Sequence, residues 1–467
     1  LVDCGWDARF KESHVAALKD AVSSTTEPVH LVLLSFPDLE HLGALPLIVS
    51  RYGLKVPIYC TVPTFNLGRM ALYEAFQAQS AEGDEPAFTL DEVDEAFEQM
   101  SPGSGKNHGI CTLKYSENLS VKMEDFILRI TPLNAGHAIG GAIWRFQWHT
   151  NQVVYGVDFN HQAEIHLNGA ALAQVSRPSL LLTDSTNWGC PPPPKQGLRQ
   201  KKLKSLVLET LNKGGHVLMP TDASSRTLEL LLLFDSMWQE NDLATSFRLV
   251  FLHSMAQNVV EFARSMSEWM SNTLSNRFDP TLPQYSSSPF TLRHVEICSD
   301  LTDFDHPSGP RAGVRDVSKV PTLVLTTHPS LELGPGRLLF SRWAGSALNR
   351  VLFTQRPPPA SLAANLVAPS VRPLALVVSV AVKKPLEGDE LVDFERRREQ
   401  RRLEQRRADD QKRFIKEVNQ GISSSQLEGE DEELTVSSAA APNTGAGSEA
   451  GNGMEEDGPG AEATAPE

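Results

Sequence analysis

Short apolar runs alternate with amphipathic segments along most of the chain. In the first part, the apolar run at 30–35 predicts a buried strand, and 43–52 predicts the helix that follows it. The acidic segment 89–100 carries apolar residues at helical spacing and predicts a second helix. Residues 142–159 alternate between apolar and polar around a polar turn at 149–152, which predicts a β-hairpin. This mixture predicts sheets covered by helices, a first α/β domain over residues 1–177.

The rhythm changes near Pro178, where short apolar strands begin to alternate regularly with helices. One helix ends at Gly214-Gly215, a C-terminal stop signal, and another spans 227–238. This alternation predicts a mostly parallel sheet with helices on both faces, a second α/β domain over residues 178–367. The predicted strands lie at 179–183, 216–219, 247–252, 322–326 and 351–354.

The end of the chain divides into three segments. Residues 368–390, with a strand-like run at 372–382, predict a strand that returns to the first domain. Within 391–420, residues 395–418 predict a charged helix that is a candidate surface for RNA or an acidic partner; the alternative is a solvated helix with i,i+4 charge pairs. We expect residues 421–467 to be a disordered acidic tail. The candidate contact residues in this helix are Arg396, Arg397, Arg398, Arg401, Arg402, Arg406 and Arg407.

Composition adds limits on the class of protein. The 467 residues are 40% hydrophobic. The chain contains no run of about 18 uncharged apolar residues, so we expect no membrane-spanning helix. The net charge of −15 is concentrated in the acidic tail, so a basic surface elsewhere is neither predicted nor excluded. Five scattered cysteines lack thiolate-zinc spacing and fit a reducing compartment. Because the chain begins as if inside a strand, we expect further strands before Leu1.

The most informative stretch is Ser35-Phe36-Pro37-Asp38-Leu39-Glu40-His41, which follows a predicted strand. It resembles the signature loop of the metallo-β-lactamase superfamily, whose active members read His-x-His-x-Asp-His and hold two zinc ions with a bridging hydroxide. By this resemblance Phe36 stands at the first histidine position, Asp38 at the second and Glu40 at the aspartate position. Only His41 keeps the family residue.

Three more motifs resemble those of the superfamily. Asp3 matches an early structural aspartate, His137 a third histidine, and Asp158 the aspartate that bridges both metals. The resemblance leaves one metal with His137 and Asp158, with Asp38 as a third candidate, and the other with His41 and Asp158, with Glu40 as a candidate. Two retained ligands per ion fall short of about three. We therefore expect no bound metal or cofactor and no catalytic residue, and instead a hydrogen-bonded polar pocket.

The second domain resembles the β-CASP insertion of nucleic-acid-processing members of the superfamily. Its first motif, an acid followed by Ser-Thr, matches Asp184, and a Gly-Gly-strand-Pro segment matches 214–220. Asn365 stands where the family has a histidine that protonates the leaving group, and an amide cannot act as that acid near neutral pH. The implied fold is an αββα metallo-β-lactamase sandwich with an inserted β-CASP α/β domain of mostly parallel sheet.

Longer runs at 88–97, 157–169, 176–181 and 258–270 are similar to one group in this family, the inactive subunits of the cleavage and polyadenylation specificity factor. The resemblance implies a nuclear, non-catalytic structural subunit in pre-mRNA 3′-end processing. Implied partners are the active endonuclease subunit, a symplekin-like scaffold and pre-mRNA, with no membrane. The alternative is an active metal-dependent RNA endonuclease with an altered, oxygen-rich metal site. A degraded small-molecule hydrolase is a third hypothesis.

Overall fold

The computed structural model divides the chain into two compact units, Leu1–Lys383 and Lys384–Glu467. It describes residues 1–24, 26, 28–83, 85–100, 108–123, 125–186, 188–189, 194–277, 290–307, 319–368, 378, 386–400, 402–403 and 406–407. Most of the predicted return strand at 372–382, the end of the predicted charged helix and the tail 421–467 lie outside these residues. Among the described helices, none combines the length and the apolar composition needed to span a bilayer.

Two sheets pack face to face in the first part of the chain. In one sheet β1, β2 and β3 are parallel; in the other β4 to β8 follow chain order, antiparallel except for the parallel pair β7–β8. A buried cluster that includes Leu33, Leu113 and Trp144 joins the facing sheets. The strands are β1 (Val32–Leu33), β2 (Pro57–Thr61), β3 (Gly109–Leu113), β4 (Leu119–Lys122), β5 (Ile127–Asn134), β6 (Ala142–Trp148), β7 (Asn151–Gly156) and β8 (Leu180–Thr183).

Helices cover the outer face of the three-stranded sheet. A second buried cluster holds Ile58 and Cys60 of that sheet against Leu72 and Val93 of the helices. The helices are α1 (Ala16–Ser23), α2 (Leu39–Leu42), α3 (Val62–Glu82) and α4 (Leu90–Ala96), with a π-helical turn at Leu47–Arg51. The fold matches the predicted αββα sandwich.

Several boundaries differ from the sequence predictions for local reasons. In place of one helix at 43–52, the chain forms the short helix α2, which ends at Leu42, and then the π-helical turn at Leu47–Arg51. The Asp38 side chain accepts from the His41 N–H and caps α2. α4 has the capping box of Thr89 and Glu92 but ends at Ala96, not at 100, as the chain turns to pair Gln99 with β3. The hairpin turn is two residues long, with His149 at positive φ, so β7 already begins at Asn151.

A five-stranded, wholly parallel sheet forms the core of the second domain, in the order β11-β10-β12-β9-β13. Alternate residues of the same strands enter different clusters: Phe251 and Leu325 face one layer of helices, Leu252 and Val324 the other. Burial on both faces explains why these strands are continuous apolar runs. The strands are β9 (Val217–Pro220), β10 (Arg248–Leu252), β11 (Val295–Cys298), β12 (Thr322–Thr326) and β13 (Arg350–Val351).

Helices lie on both faces of this sheet, as the alternation predicted: α5 (Gln196–Asn212), α6 (Arg226–Glu240), α7 (Ala256–Ser265), α8 (Asn272–Arg277), α9 (Leu301–Asp305), α10 (Pro335–Trp343) and α11 (Leu362–Val367). One predicted strand forms as expected but belongs to a different sheet. The run at 179–183, expected to open the second domain, forms β8 and pairs with β7 of the first sheet, because that strand offers a free edge for parallel pairing.

The second unit contains a helix over residues 389–400. It begins before the predicted start at 395, and residues 389–390 are helical where the return strand was expected, because two amides of the first turn bond to the carbonyl of Gly388. The described arginines of this helix and of the short helical pieces that follow are exposed, and Arg401 lies outside the described residues.

Candidate functional site

The loop after β1 is fixed by a buried carboxylate. Asp3 accepts hydrogen bonds from the Ser35 N–H at 2.7 Å and from the Tyr155 hydroxyl at 3.0 Å, so it joins the first loop to β7. Burial raises the pKa of Asp3, although these bonds and the nearby His41 oppose the shift. Asp3 therefore has the structural role that the resemblance implies. The candidate site lies in the loop after β1, which Asp3 holds in place.

Asp38 and His41 form a tight pair at the start of α2. The His41 Nδ1 lies 2.7 Å from Asp38 Oδ1, and its backbone N–H donates to the same oxygen at 3.1 Å. Burial opposes the charge on His41, but Asp38, Asp3 and Asp158 together raise its pKa to about 10. The pKa of Asp38 is held below its usual range, against the effect of burial, by the charge and hydrogen bonds of His41. The pair is therefore an imidazolium and a carboxylate at neutral pH.

Phe36 lies at the centre of the group. Its side chain is 0% exposed, with ring centroids 4.7 Å from His41 and 5.6 Å from His137. A β-carbon on Gly141 would come within 2.5 Å of Phe36 Cε1, so glycine there makes room for the ring. His41 and His137 stand at positions where the superfamily has metal ligands, but here both imidazoles contact the Phe36 ring.

His137 and Asp158 come from the loops after β5 and β7 and complete the group. His137 is half-buried, and Asp158 adopts a positive φ of 46° as the chain leaves β7. Asp158 Oδ2 lies 3.8 Å from His41 Nε2. Burial raises the pKa of Asp158, opposed by the charges of His41 and His137. The structure therefore brings Asp38, His41, His137 and Asp158 together, as the motifs predicted.

Glu40 lies on the exposed side of α2, at the edge of the group. Partial desolvation, together with the charges of Asp38 and Asp158, raises its pKa to about 7. Among the described residues, no hydrogen bond or ion pair holds the Glu40 side chain. Its carboxylate is therefore the most adaptable of the five ligand-type side chains, and it lies farther out than the pair formed by Asp38 and His41.

The second domain and the end of β8 contribute a different set of groups. His328, after β12, has its pKa lowered by burial, with opposing charges from Glu74, Asp222 and Asp38. Asp184 is exposed after β8, and its charge raises the pKa of Asp158. Asn365 is an exposed residue of α11. Sequence motifs had singled out Asp184 and Asn365, but not His328.

Two buried carboxylate–imidazole pairs that the sequence analysis missed join the first domain to the second. Glu229 of α6 accepts from His166 Nδ1 at 2.8 Å and from the backbone N–H groups of Ile165 and His166 at 3.0 and 3.2 Å. Burial opposes its charge, but these donors hold the pKa of Glu229 below its usual range. A lone glutamate inside the apolar run of α6 was the available signal. Glu74 of α3 similarly lies 3.0 Å from His253 Nε2, after β10.

The first of these pairs has a second chemical interpretation. Glu164, His166 and Glu229 place one ligand atom each within 4.8 Å of one another, a geometry that can hold a metal ion. However, the Glu229 oxygens already accept from backbone N–H groups, and Glu164 accepts from Arg226 at 2.8 Å. These donors favour a structural ion-pair network, because they occupy the lone pairs that a cation would need.

Comparison with known proteins matches both parts of this fold. The profile of the metallo-beta-lactamase superfamily domain matches residues 1–186, and that of the Beta-Casp domain matches residues 227–366. A "Probable cleavage and polyadenylation specificity factor subunit 2" of Drosophila melanogaster is 36% identical over 397 residues, 84% of this chain and 48% of that protein. The chain belongs to the cleavage and polyadenylation specificity factor subunit 2 family.

Other relatives show the breadth of this family and of its neighbours. The Arabidopsis thaliana subunit 2 protein is 34% identical over 411 residues, 87% of this chain and 51% of the relative. An "Endoribonuclease YSH1" of Yarrowia lipolytica is 23% identical over 378 residues, 79% of this chain and 42% of that protein. The chain spans about half the length of the curated relatives that it matches.

Proposed function

We propose that this chain is part of a non-catalytic structural subunit that acts in pre-mRNA 3′-end cleavage and polyadenylation in the nucleus. Its partners in this proposal are the active endonuclease subunit, a symplekin-like scaffold and pre-mRNA. The names of the relatives support the process, since they are cleavage and polyadenylation factors. The observation that carries the non-catalytic part is Phe36, fully buried between His41 and His137.

The residues present do not fit a pair of zinc ions. A catalytic zinc needs at least about three protein ligands, and a histidine ligand must be neutral. His41 is held as an imidazolium by Asp38, and Phe36 offers no lone pair in the space between the two imidazoles. Only His137, Asp158 and the outlying Glu40 remain as candidate ligands. Two metal shells cannot be completed from this set.

The group that would protonate a leaving oxygen is also different. Asn365 stands at the position of the family histidine, and its amide holds no transferable proton near neutral pH. Burial lowers the pKa of His328, an imidazole of the second domain, and so disfavours the protonated form that a proton donor needs. Without a metal-bound hydroxide or an acid at position 365, hydrolysis of a phosphodiester lacks both the nucleophile and the proton donor.

The test is complementation of 3′-end processing. Nuclear extract depleted of the full-length protein receives either the wild type or the His137→Ala variant, and cleavage of a polyadenylation substrate is measured. We expect equal restoration by both proteins, because no catalytic step passes through His137. The melting temperature of each protein serves as the folding control. Processing that is lost with a normally folded His137→Ala variant would overturn the proposal and favour an active metal-dependent endonuclease.

A further inference from the structure

The first half of α5 carries a cluster of exposed cations that the candidate site does not use. We call Lys195, Arg199, Lys201 and Lys202 the α5 basic face. From 195 to 204 the chain contains no acidic residue, and these four side chains form no ion pair among the described residues. Arg199 donates to the neutral amide oxygen of Gln162 at 2.8 Å, which leaves its charge uncompensated. The face is therefore strongly positive in an otherwise acidic protein.

The spacing of three of these cations suits a linear polyanion. Arg199 and Lys202 lie three residues apart in α5, so they line one side of the helix, about one turn apart, and Lys195 is the N-cap residue just before its first turn. One turn of helix rises about 5.4 Å. A row of single charges at this interval matches successive charged groups along an extended chain better than it matches one compact anion.

A cavity of about 380 Å³ opens beside this face. Its lining combines the cations Arg199 and Lys202 with the amides Asn160 and Gln162 and the aromatic ring of Phe353. Two carboxylates also line it, but Glu164 is paired with Arg226 and Glu229 with His166, so Arg199 and Lys202 remain its uncompensated charges. Cations, amides and an aromatic side chain in one concave surface are the groups that bind phosphates and base edges in single-stranded nucleic acid.

An exposed tryptophan lies in a loop that is hydrogen-bonded to the segment after a cavity-lining residue. Trp188 is 88% exposed, the highest value among the large apolar side chains that the structure describes. The Arg356 guanidinium donates to the carbonyl oxygen of Thr186 at 2.9 Å, which ties the loop of Trp188 to the segment after Phe353. An indole ring in solvent gains no burial free energy, so its free face is available for stacking on a base.

We propose that the α5 basic face and Trp188 bind single-stranded RNA, with the cations on successive phosphates and the indole on a base. The inference rests on the proposed function, where it specifies the RNA contact. The arginine helix at 389–400 is a weaker candidate, because five acidic residues share it with three arginines and Arg396 pairs with Asp393. An acidic protein partner would need neither the amide-lined cavity nor an exposed indole.

The test is fluorescence anisotropy of a short labelled single-stranded RNA, titrated with the full-length protein at several salt concentrations. The variant Arg199→Gln/Lys202→Gln is expected to weaken binding at least tenfold. It should also reduce the slope of log K against log salt by about 1.4, since each single-strand phosphate contact contributes about 0.7. Trp188→Ala is expected to weaken binding about fivefold or more, with the slope unchanged. The control Lys11→Gln/Lys55→Gln removes two exposed charges elsewhere and should change neither quantity.

Three outcomes would overturn this inference. In the first, the α5 variant binds RNA as tightly as the wild type does. In the second, the control variant weakens binding as much as the α5 variant. In the third, polyglutamate of matched length competes as well as unlabelled RNA, which would indicate an acidic protein partner. The length of the RNA is checked on a gel after each titration. Cleaved RNA contradicts the proposed function whatever the affinity, whereas intact RNA with unchanged binding contradicts only the α5 surface.

Discussion

A single aromatic side chain decides the character of the candidate site. Phe36 is buried between His41 and His137, and His41 is in turn held by Asp38. Of the residues at motif positions, His41 is therefore held by Asp38, and His137 packs against the Phe36 ring. In this arrangement the Asp38–His41 pair, covered by the Phe36 ring, holds the loop after β1 in place as a buried ion pair does in a protein core.

Phe36→Ala tests whether the ring is a structural part of this core. Removal of a fully buried phenylalanine leaves a cavity, so we expect the free energy of unfolding to fall by about 3–5 kcal/mol. Urea denaturation followed by circular dichroism measures the change. The matched control is Phe394→Ala, which removes a ring that is 48% exposed and should cost less than about 1 kcal/mol. Similar small losses for both variants would show that Phe36 packs loosely.

The His41–Asp38 pair predicts a pH dependence of stability. The pKa of His41 is about 10 in the folded protein and about 6.5 in the unfolded chain, so the folded state binds the extra proton between these values. The stabilisation is fully present below about pH 6.5 and is lost as the pH rises through about 10. Urea midpoints of the wild type should therefore fall more steeply from pH 7 to 10 than those of His41→Gln. Parallel profiles would contradict the ion pair.

At the scale of secondary-structure elements, the two domains are joined by helices that carry buried charges. α6 contributes Glu229 to the segment at 165–166, and α3 contributes Glu74 to His253 beyond the end of β10. In both cases a carboxylate on a helix of one domain meets an imidazole on a loop of the other. The Glu229 carboxylate, whose side chain is 2% exposed, fixes how the two elements meet, because any other arrangement leaves its charge buried without donors.

Glu229→Gln should destabilise the protein by about 3 kcal/mol, because the variant leaves the buried His166 without its charged partner. The control is Arg342→Gln, which removes an exposed ion pair with Asp305 and should cost no more than about 1 kcal/mol. Thermal unfolding of both variants is compared with and without a chelator. A chelator that destabilises the wild type but not Glu229→Gln would instead indicate a metal bound by Glu164, His166 and Glu229.

Elements whose hydrophobic pattern lies within a short stretch of sequence could be predicted. The hairpin of β6 and β7 and the parallel strands of the second domain follow from alternation and from continuous apolar runs. The placement of β8 could not be predicted in this way, because the choice between two sheets depends on which edge is free in three dimensions. The ligand-type residues were found by their motif, whereas the pairs Glu229–His166 and Glu74–His253 join residues more than 60 positions apart.

At the scale of the whole molecule, the metallo-β-lactamase part and the β-CASP part share one hydrophobic core. Leu67, Ile139 and Leu167 from the first part belong to the same buried cluster as Phe251 and Trp238 from the second. Both parts lie within the unit Leu1–Lys383. A continuous core of this kind couples the stability of the two parts, since neither can expose its surface without opening the other.

Differential scanning calorimetry tests this coupling. We expect one cooperative transition for the unit Leu1–Lys383, with equal calorimetric and van't Hoff enthalpies for that transition. The Glu229→Gln variant should melt at a lower temperature, still in a single step. Two separate transitions in the wild type, only one of them shifted by Glu229→Gln, would show that the two domains unfold independently.

The central claim is that the residues around Phe36 do not form a zinc centre. The most direct test is the metal content of the full-length protein, purified without chelators, dialysed against zinc and measured by inductively coupled plasma mass spectrometry. The account predicts less than about a tenth of an equivalent of zinc, unchanged in His137→Ala. About one equivalent or more, lost in His137→Ala, would contradict it and would mean that the altered residues hold a metal.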